Sequence, residues 1–321
     1  MTYKKKFTVL AGIIAALVLV YILTIIFDPQ RIGSRTDAYS WLDLRQKNRI
    51  DRISINNQYE TIVLEQRGGE WFVSRDGKDY PARRMRVEDF IDMLGKRAPY
   101  PVRSTSASSH ERLSLIEGRC SQIIVAGGSG IPLLHLLIGQ GDLAGQSVYL
   151  RKQGHNEVRS GEDIFSAYTD STPVSWYNLR LFPESETGKL DPASVQRLTV
   201  YPPANGGDSI PYIFTRRGRE WTITGIDIFD PDREKIDSYI REILNTTGDD
   251  FEETLSPSDP VFNDSRIVLE LGDGSIRTLR MGAADDNDRR LATVSGTNYV
   301  YTIPDWVSRR LFADPDSLER D

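Results

Sequence analysis

The feature that most restricts the fold of this chain is a pattern that occurs twice. Glu70-Trp71-Phe72-Val73 follows a Gly68-Gly69 turn, and Glu220-Trp221-Thr222-Ile223 follows Gly218. Pro81 and Pro231 each lie 10 residues beyond the respective tryptophan. After each proline comes one apolar stripe at the i, i+3, i+4, i+7 spacing of a helix face: Val87, Phe90, Ile91 and Leu94, then Ile236, Tyr239, Ile240 and Ile243. The offset between the copies is 149 to 150 residues, and self-similarity of this kind must be settled before any fold is chosen.

Strand patterns keep the same order in both copies. Ile53-Ser54-Ile55 alternates, Thr61 to Glu65 runs into the glycine turn, and Trp71 to Val73 returns from it; Arg197 to Val200 repeats the first of these strands. Gln122 to Ala126 and Leu133 to Ile138 form a hairpin joined by Gly127-Gly128-Ser129-Gly130 and ended by Gly139. Ile267 to Leu269, Gly272-Asp273-Gly274 and the strand to Met281, stopped by Gly282, restate it. Glu162 to Tyr168 and Trp306 to Phe312 read as closing helices. The expected class is α+β: two tandem repeats of antiparallel strands, each with an amphipathic helix on its sheet, over residues 48–170 and 195–313, with a linker at 171–194 and a tail at 314–321.

Ahead of the repeats, Phe7 to Phe27 is an uninterrupted apolar run behind Lys4, Lys5 and Lys6. As a helix it would be about 32 Å long, enough for the roughly 30 Å of hydrocarbon in a bilayer. Its 14 Phe, Leu, Ile and Val residues outweigh Gly12, Thr8 and Thr24 for insertion. A cleaved signal peptide would have a shorter core and a small-residue cleavage site, whereas this run ends Thr24-Ile25-Ile26-Phe27-Asp28-Pro29. The expectation is a cytoplasmic tail at 1–6, a single transmembrane helix at 7–27 acting as signal anchor, and a stalk at 28–47 with Trp41 at the headgroups. By the positive-inside tendency, the N-terminus stays in the cytoplasm of an inner-membrane protein and the body lies in the periplasm or other extracytoplasmic space.

The formal net charge of −6 includes those three lysines, so the remainder is more acidic still, a poor match for nucleic acid. One cysteine, Cys120, allows no intrachain disulfide; beside Ile123-Ile124-Val125 it reads as a small buried residue.

No residue pattern identifies a reaction. His110, His135 and His155 lack metal-ligand neighbours and read as surface histidines. The Gly127 to Gly130 loop is followed by a strand rather than a helix opening with Lys-Ser/Thr, so it is a hairpin tip and not a phosphate loop. Asp285-Asp286-Asn287-Asp288 lacks the glycine and terminal glutamate of a calcium loop. Asp249-Asp250 and Glu252-Glu253 are common pairings in an acidic chain, and a hydrolase would need such groups to converge from distant segments. Arg83, Arg84 and Arg86, like Arg216, Arg217 and Arg219, solvate a helix start and a turn, or meet anionic lipid or an acidic partner. No catalytic, cofactor-binding or metal-binding residue is assigned, and no cofactor is expected.

Taken together, Trp71 after its glycine turn, the helix after Pro81, the hairpin ending at Gly139, and Trp176-Tyr177-Asn178-Leu179 leading into a second copy resemble the bacterial domain-of-unknown-function 4340 family. That resemblance implies a single-pass envelope protein beside ABC-transporter components similar to the gliding-motility auxiliary system, with no catalytic residues to carry over. The expected function is a non-catalytic accessory or scaffold component of an ABC-type transport or motility complex. The alternative is an extracytoplasmic module that binds a solute or cell-wall glycan in the cleft between repeats.

Overall fold

Period-two alternation of apolar and polar residues builds most of the chain into antiparallel sheet. The computed structural model describes residue 17 and residues 38–320, apart from 58, 129, 143–144, 204–209 and 226–228. It divides into unit 1, up to Trp176, and unit 2, from Tyr177.

Unit 1 contains β1 (Ala38–Tyr39), β2 (Ile50–Asn56), β3 (Thr61–Arg67), β4 (Glu70–Arg75), β5 (Lys78–Pro81), β6 (Ala98–Pro99), β7 (Val102–Ser104), β8 (Ser121–Gly127), β9 (Pro132–Gly141), β10 (Ser147–Lys152) and β11 (Val158–Glu162). Its helices are α1 (Arg84–Gly95) and the single turns α2 (Ser109–Arg112) and α3 (Ser166–Thr169). Unit 2 contains β12 (Val195–Tyr201), β13 (Tyr212–Arg217), β14 (Glu220–Thr224), β15 (Asp250–Glu252), β16 (Ser265–Leu271), β17 (Ile276–Ala284), β18 (Arg289–Val294) and β19 (Val300–Pro304), with α4 (Arg233–Asn245) and α5 (Asp305–Leu311).

The nine-stranded sheet of unit 1 runs β5-β4-β3-β2-β8-β9-β10-β11-β7, and the eight-stranded sheet of unit 2 runs β14-β13-β12-β16-β17-β18-β19-β15. Leaving β5 aside, the two orders correspond strand for strand. Even an irregularity recurs: the register of β2 on β8 shifts between Ile50 and Arg52, and that of β12 on β16 between Val195 and Arg197. Each shift inserts one extra residue, Asp51 or Gln196, as a β-bulge.

In unit 1 a row of directly paired residues, Tyr80, Val73, Leu64, Ile53, Val125 and Leu134, crosses six strands and is buried throughout. In unit 2, Tyr212, Val200, Ile267, Leu279 and Val294 make a buried row across five strands, displaced two residues along the strands from the row of unit 1. Fully burying one such aliphatic or aromatic side chain contributes roughly 1.5–3 kcal/mol, so these rows set the register. The helical stripes face inward as the spacing predicts: Val87, Phe90, Ile91 and Leu94 are buried on α1, and Ile236, Tyr239, Ile240 and Ile243 on α4. Helix α1 packs on β4 and α4 on β14, the strands that carry the buried Trp71 and Trp221.

The expected fold is corrected in two respects. Among the described residues the protein is not α+β in balance but mostly antiparallel β, with three sheets, the third a two-stranded pairing of β1 with β6, and few helices. Among the described residues one long helix per unit is set against eleven strands in unit 1 and eight in unit 2, and the predicted closing helix at Glu162 to Tyr168 shrinks to α3, because Glu162 is the last residue of β11. Nor is a transmembrane helix or signal anchor found among the described residues. Among the described residues no helix is long and apolar enough to cross a membrane. Apart from Leu17, the run at 7–27 lies outside the described residues, as does the predicted tail at 1–6.

Three smaller differences follow from packing. Trp41, expected at lipid headgroups, is buried in unit 1 with its ring edge-on to Tyr100 at 5.2 Å. The segment expected as a linker supplies core residues instead: Trp176 to unit 1, and Tyr177, Leu179, Leu181 and Phe182 to unit 2. Gly139 and Gly282 do not end their hairpins but lie inside β9 and β17. A Cβ at Gly139 would overlap the Leu113 carbonyl oxygen, and one at Gly282 would stand 2.9 Å from that of Val261. Both glycines therefore admit a connector's backbone against the sheet.

Candidate functional site

The bulge in β2 borders a depression of unit 1. There the sheet's outer face dips into a groove of about 520 Å³ between β2, β3, β8 and β9. Cross-strand register places Glu65 opposite Arg52, Arg52 opposite Ala126, and Ala126 opposite Pro132, forming the groove floor. Ser54 and Ile124 form the next row. Asp51, the extra residue of the bulge, projects beside Gly128 at the rim, where a Cβ added to the glycine would lie 3.1 Å from its Oδ2. A Cβ at Gly127 would come to 2.5 Å from the Arg49 carbonyl oxygen. The glycine loop thus presses onto the bulge, consistent with a hairpin tip between two strands.

The charges in the groove are mostly spent on one another. Arg52 Nη1 lies 3.1 Å from Glu65 Oε1, and Arg67 reaches both Glu65 and Asp79. Both arginines remain about half exposed, so these pairs organise the surface more than they stabilise it. The Asp51 side chain makes no hydrogen bond or ion pair among the described residues. It leaves one uncommitted carboxylate in a groove otherwise neutralised, suited to a basic or hydrogen-bond-donating group from a partner. Histidine, cysteine and lysine are absent from the described lining, which offers hydrogen bonds and charge rather than a nucleophile with its base.

The residues weighed from sequence lie elsewhere and are not drawn together. His110 is buried, not superficial, with Nε2 3.1 Å from the Asn156 carbonyl oxygen. His135 pairs through Nε2 with Gln122 Oε1 at 2.9 Å; burial, then the nearby Arg151, holds its pKa below the usual value. His155 is exposed. Cys120 packs with Leu113, Leu115, Leu137 and Val158, and burial pushes its thiol pKa up, which disfavours the thiolate. Asp285 closes the β17–β18 hairpin by accepting from the backbone N–H groups of Asn287 and Arg289, both at 2.9 Å, and these bonds lower its pKa. Asp249 is pushed up by burial, whereas Glu252 is held down by its hydrogen bond from the Thr254 hydroxyl. No group of three or more His, Cys, Asp or Glu among the described residues could hold a metal ion.

In each arginine cluster at least one guanidinium is tied into the fold. Arg84 pairs with Glu88 at 2.8 Å, and Arg86 donates to the Ala167 carbonyl at 2.9 Å while its guanidinium lies over Tyr168 and Trp176. Arg216 is largely buried; it donates to the Val195 and Pro192 carbonyls and to Asp237 Oδ1 at 2.7 Å, 4.4 Å above the Trp221 ring.

Sequence reasoning passed over Asp51. The signal was a strand whose alternation slips at Ile50-Asp51-Arg52, a local break that marks a bulge. No protein-family model matches the chain, and neither the curated proteins nor the solved structures yield a similar one.

Proposed function

We propose that the protein is a non-catalytic scaffold, an accessory component of an ABC-type transport or motility complex, and that the unit 1 groove receives a basic side chain of a protein partner. The observation that supports this most directly is the uncommitted Asp51 carboxylate, raised by a bulge into a groove whose other charges are paired. The fold recurs in unit 2, but the charge does not. Gln196 takes the bulge position there, beside Gly272, so the scaffold is kept while the contact residue differs. The partner class rests on the resemblance to the 4340 family.

The test is a photo-crosslinking amino acid at Ser54 of the full chain, expressed at native level in its source cells. A crosslink to an ABC-type transporter subunit, lost in Asp51→Arg, is the expected result. Recovery of no transport subunit, or a crosslink indifferent to Asp51→Arg, would refute the proposal.

A further inference from the structure

A second groove, of about 460 Å³, lies within unit 2 between α4 and α5, and one residue sets it apart. Trp306 is 60% exposed, whereas Trp41, Trp71, Trp176 and Trp221 are each at most 5% exposed. A bare indole beside a groove costs solvation without adding to the core, so the core does not explain its place.

The wall facing it is a polar stripe. Ser238, Arg241, Glu242 and Asn245 recur at i, i+3, i+4 and i+7 along α4, next to the buried stripe that holds the helix to its sheet. Arg310, one helical turn from Trp306 on α5, pairs with Glu242 across the groove. Arg180 Nη1 donates to Asn245 Oδ1 at 3.0 Å, which orients that amide. From Ser238 to Asn245 the helix rises about 10 Å, so the polar stripe runs alongside the ring for roughly two turns.

We infer that this groove binds a neutral oligosaccharide, with Trp306 as the stacking platform. A pyranose whose hydroxyls are equatorial has a flat apolar face and a polar rim. The first matches an exposed indole, and the second matches hydroxyl, amide, guanidinium and carboxylate groups held along one side. A peptide hot spot would need an apolar pocket for an anchor side chain. Among the described lining residues Val307 is the only aliphatic one, so the groove offers no such pocket. This site is independent of the unit 1 groove and of the scaffold reading.

The test uses the purified full chain with cellotetraose and chitotetraose as probes. Because the other four tryptophans are buried, acrylamide quenching of fluorescence reports chiefly on Trp306. One of the two sugars is expected to protect the ring from acrylamide and to give a calorimetric isotherm. Trp306→Ala should then weaken binding by roughly tenfold or more, the equivalent of about 1.4 kcal/mol, with the unfolding midpoint unchanged because the ring supports no core. Asn245→Ala should weaken it less. Failure of both sugars to protect the ring, affinity unchanged in Trp306→Ala, or protection by an acidic peptide but by neither sugar would each overturn the inference.

Discussion

Units 1 and 2 share a strand order and a bulge, yet they secure corresponding positions by different chemistry. The strand partner of Trp71 is Gln66, and the strand partner of Trp221 is Arg216. In unit 2 that arginine lies over the indole, Trp221 Nε1 donates to Asp237 Oδ1 at 3.2 Å, and Arg216 and Arg233 both pair with the same carboxylate. The helix starts differ as well. Helix α4 is capped by Asp232, which accepts from the Lys235 N–H at 2.9 Å, whereas α1 begins at Arg83 with no side-chain cap and three arginines at its positive end. What holds α1 there is tertiary: the Arg83 N–H donates to the Trp176 carbonyl at 2.7 Å. A duplicated fold therefore keeps its apolar rows and leaves the polar fastenings free to diverge.

The largest expected effect tests that contrast directly. Trp71→Ala and Trp221→Ala should each cost about 3–5 kcal/mol, with Trp221→Ala the worse, because it also strips Asp237 and the largely buried Arg216 of a shared partner. Urea unfolding of both variants measures the difference; equal losses would mean that the charge cluster in unit 2 adds nothing.

Next in size are the two sheet glycines. Gly139→Ala should destabilise by about 3 kcal/mol and Gly282→Ala by about 1 kcal/mol, since the first added methyl overlaps a backbone carbonyl and the second only crowds one. A reversed order would show that the connector of unit 1 yields more readily than its packing implies.

The smallest effect is absent at neutral pH and concerns the phenols of unit 2. Burial pushes Tyr212 from an ordinary value near 10 up to about 12, and it raises Tyr239 and Tyr301 in the same direction. Tyr212 and Tyr239 donate to the Ala313 and Leu311 carbonyls at 2.8 and 2.5 Å, pinning the chain that follows α5. A phenol with a raised folded-state pKa contributes stability that is intact below about pH 10 and lost as pH climbs to about 12, because the unfolded chain ionises first. Unit 2 should therefore loosen over that window, with phenolate absorbance appearing together with hydrogen exchange at 311–318. Exchange protection at 311–318 that persists unchanged through pH 12 would contradict the assignment.

Much of this fold is legible because burial writes a period into the chain. The stripes on α1 and α4, the alternation in β2 and the glycine turn before each tryptophan all appear in the residues themselves. The share of sheet was underestimated because short strands such as Val102–Ser104 and Asp250–Glu252 carry too few residues to show a period, and their pairing is supplied by neighbours distant in sequence. Arg216 reads as a turn-solvating cation in sequence, and only the approach of α4 makes it a buried partner of Asp237. Trp306 reads as part of a closing helix, and only the groove beside α4 makes it conspicuous. Asp51 left no more than a slipped alternation.

The sequence by itself determined the apolar stripes of the two long helices, the longer alternating strands and the presence of two matched copies. Tertiary structure alone decided what covers each apolar face and which charges find one another, because those contacts join residues far apart along the chain and no local period encodes them. For that reason Trp41 became core, Trp306 remained bare, and one carboxylate of a bulge was left without a partner among the described residues.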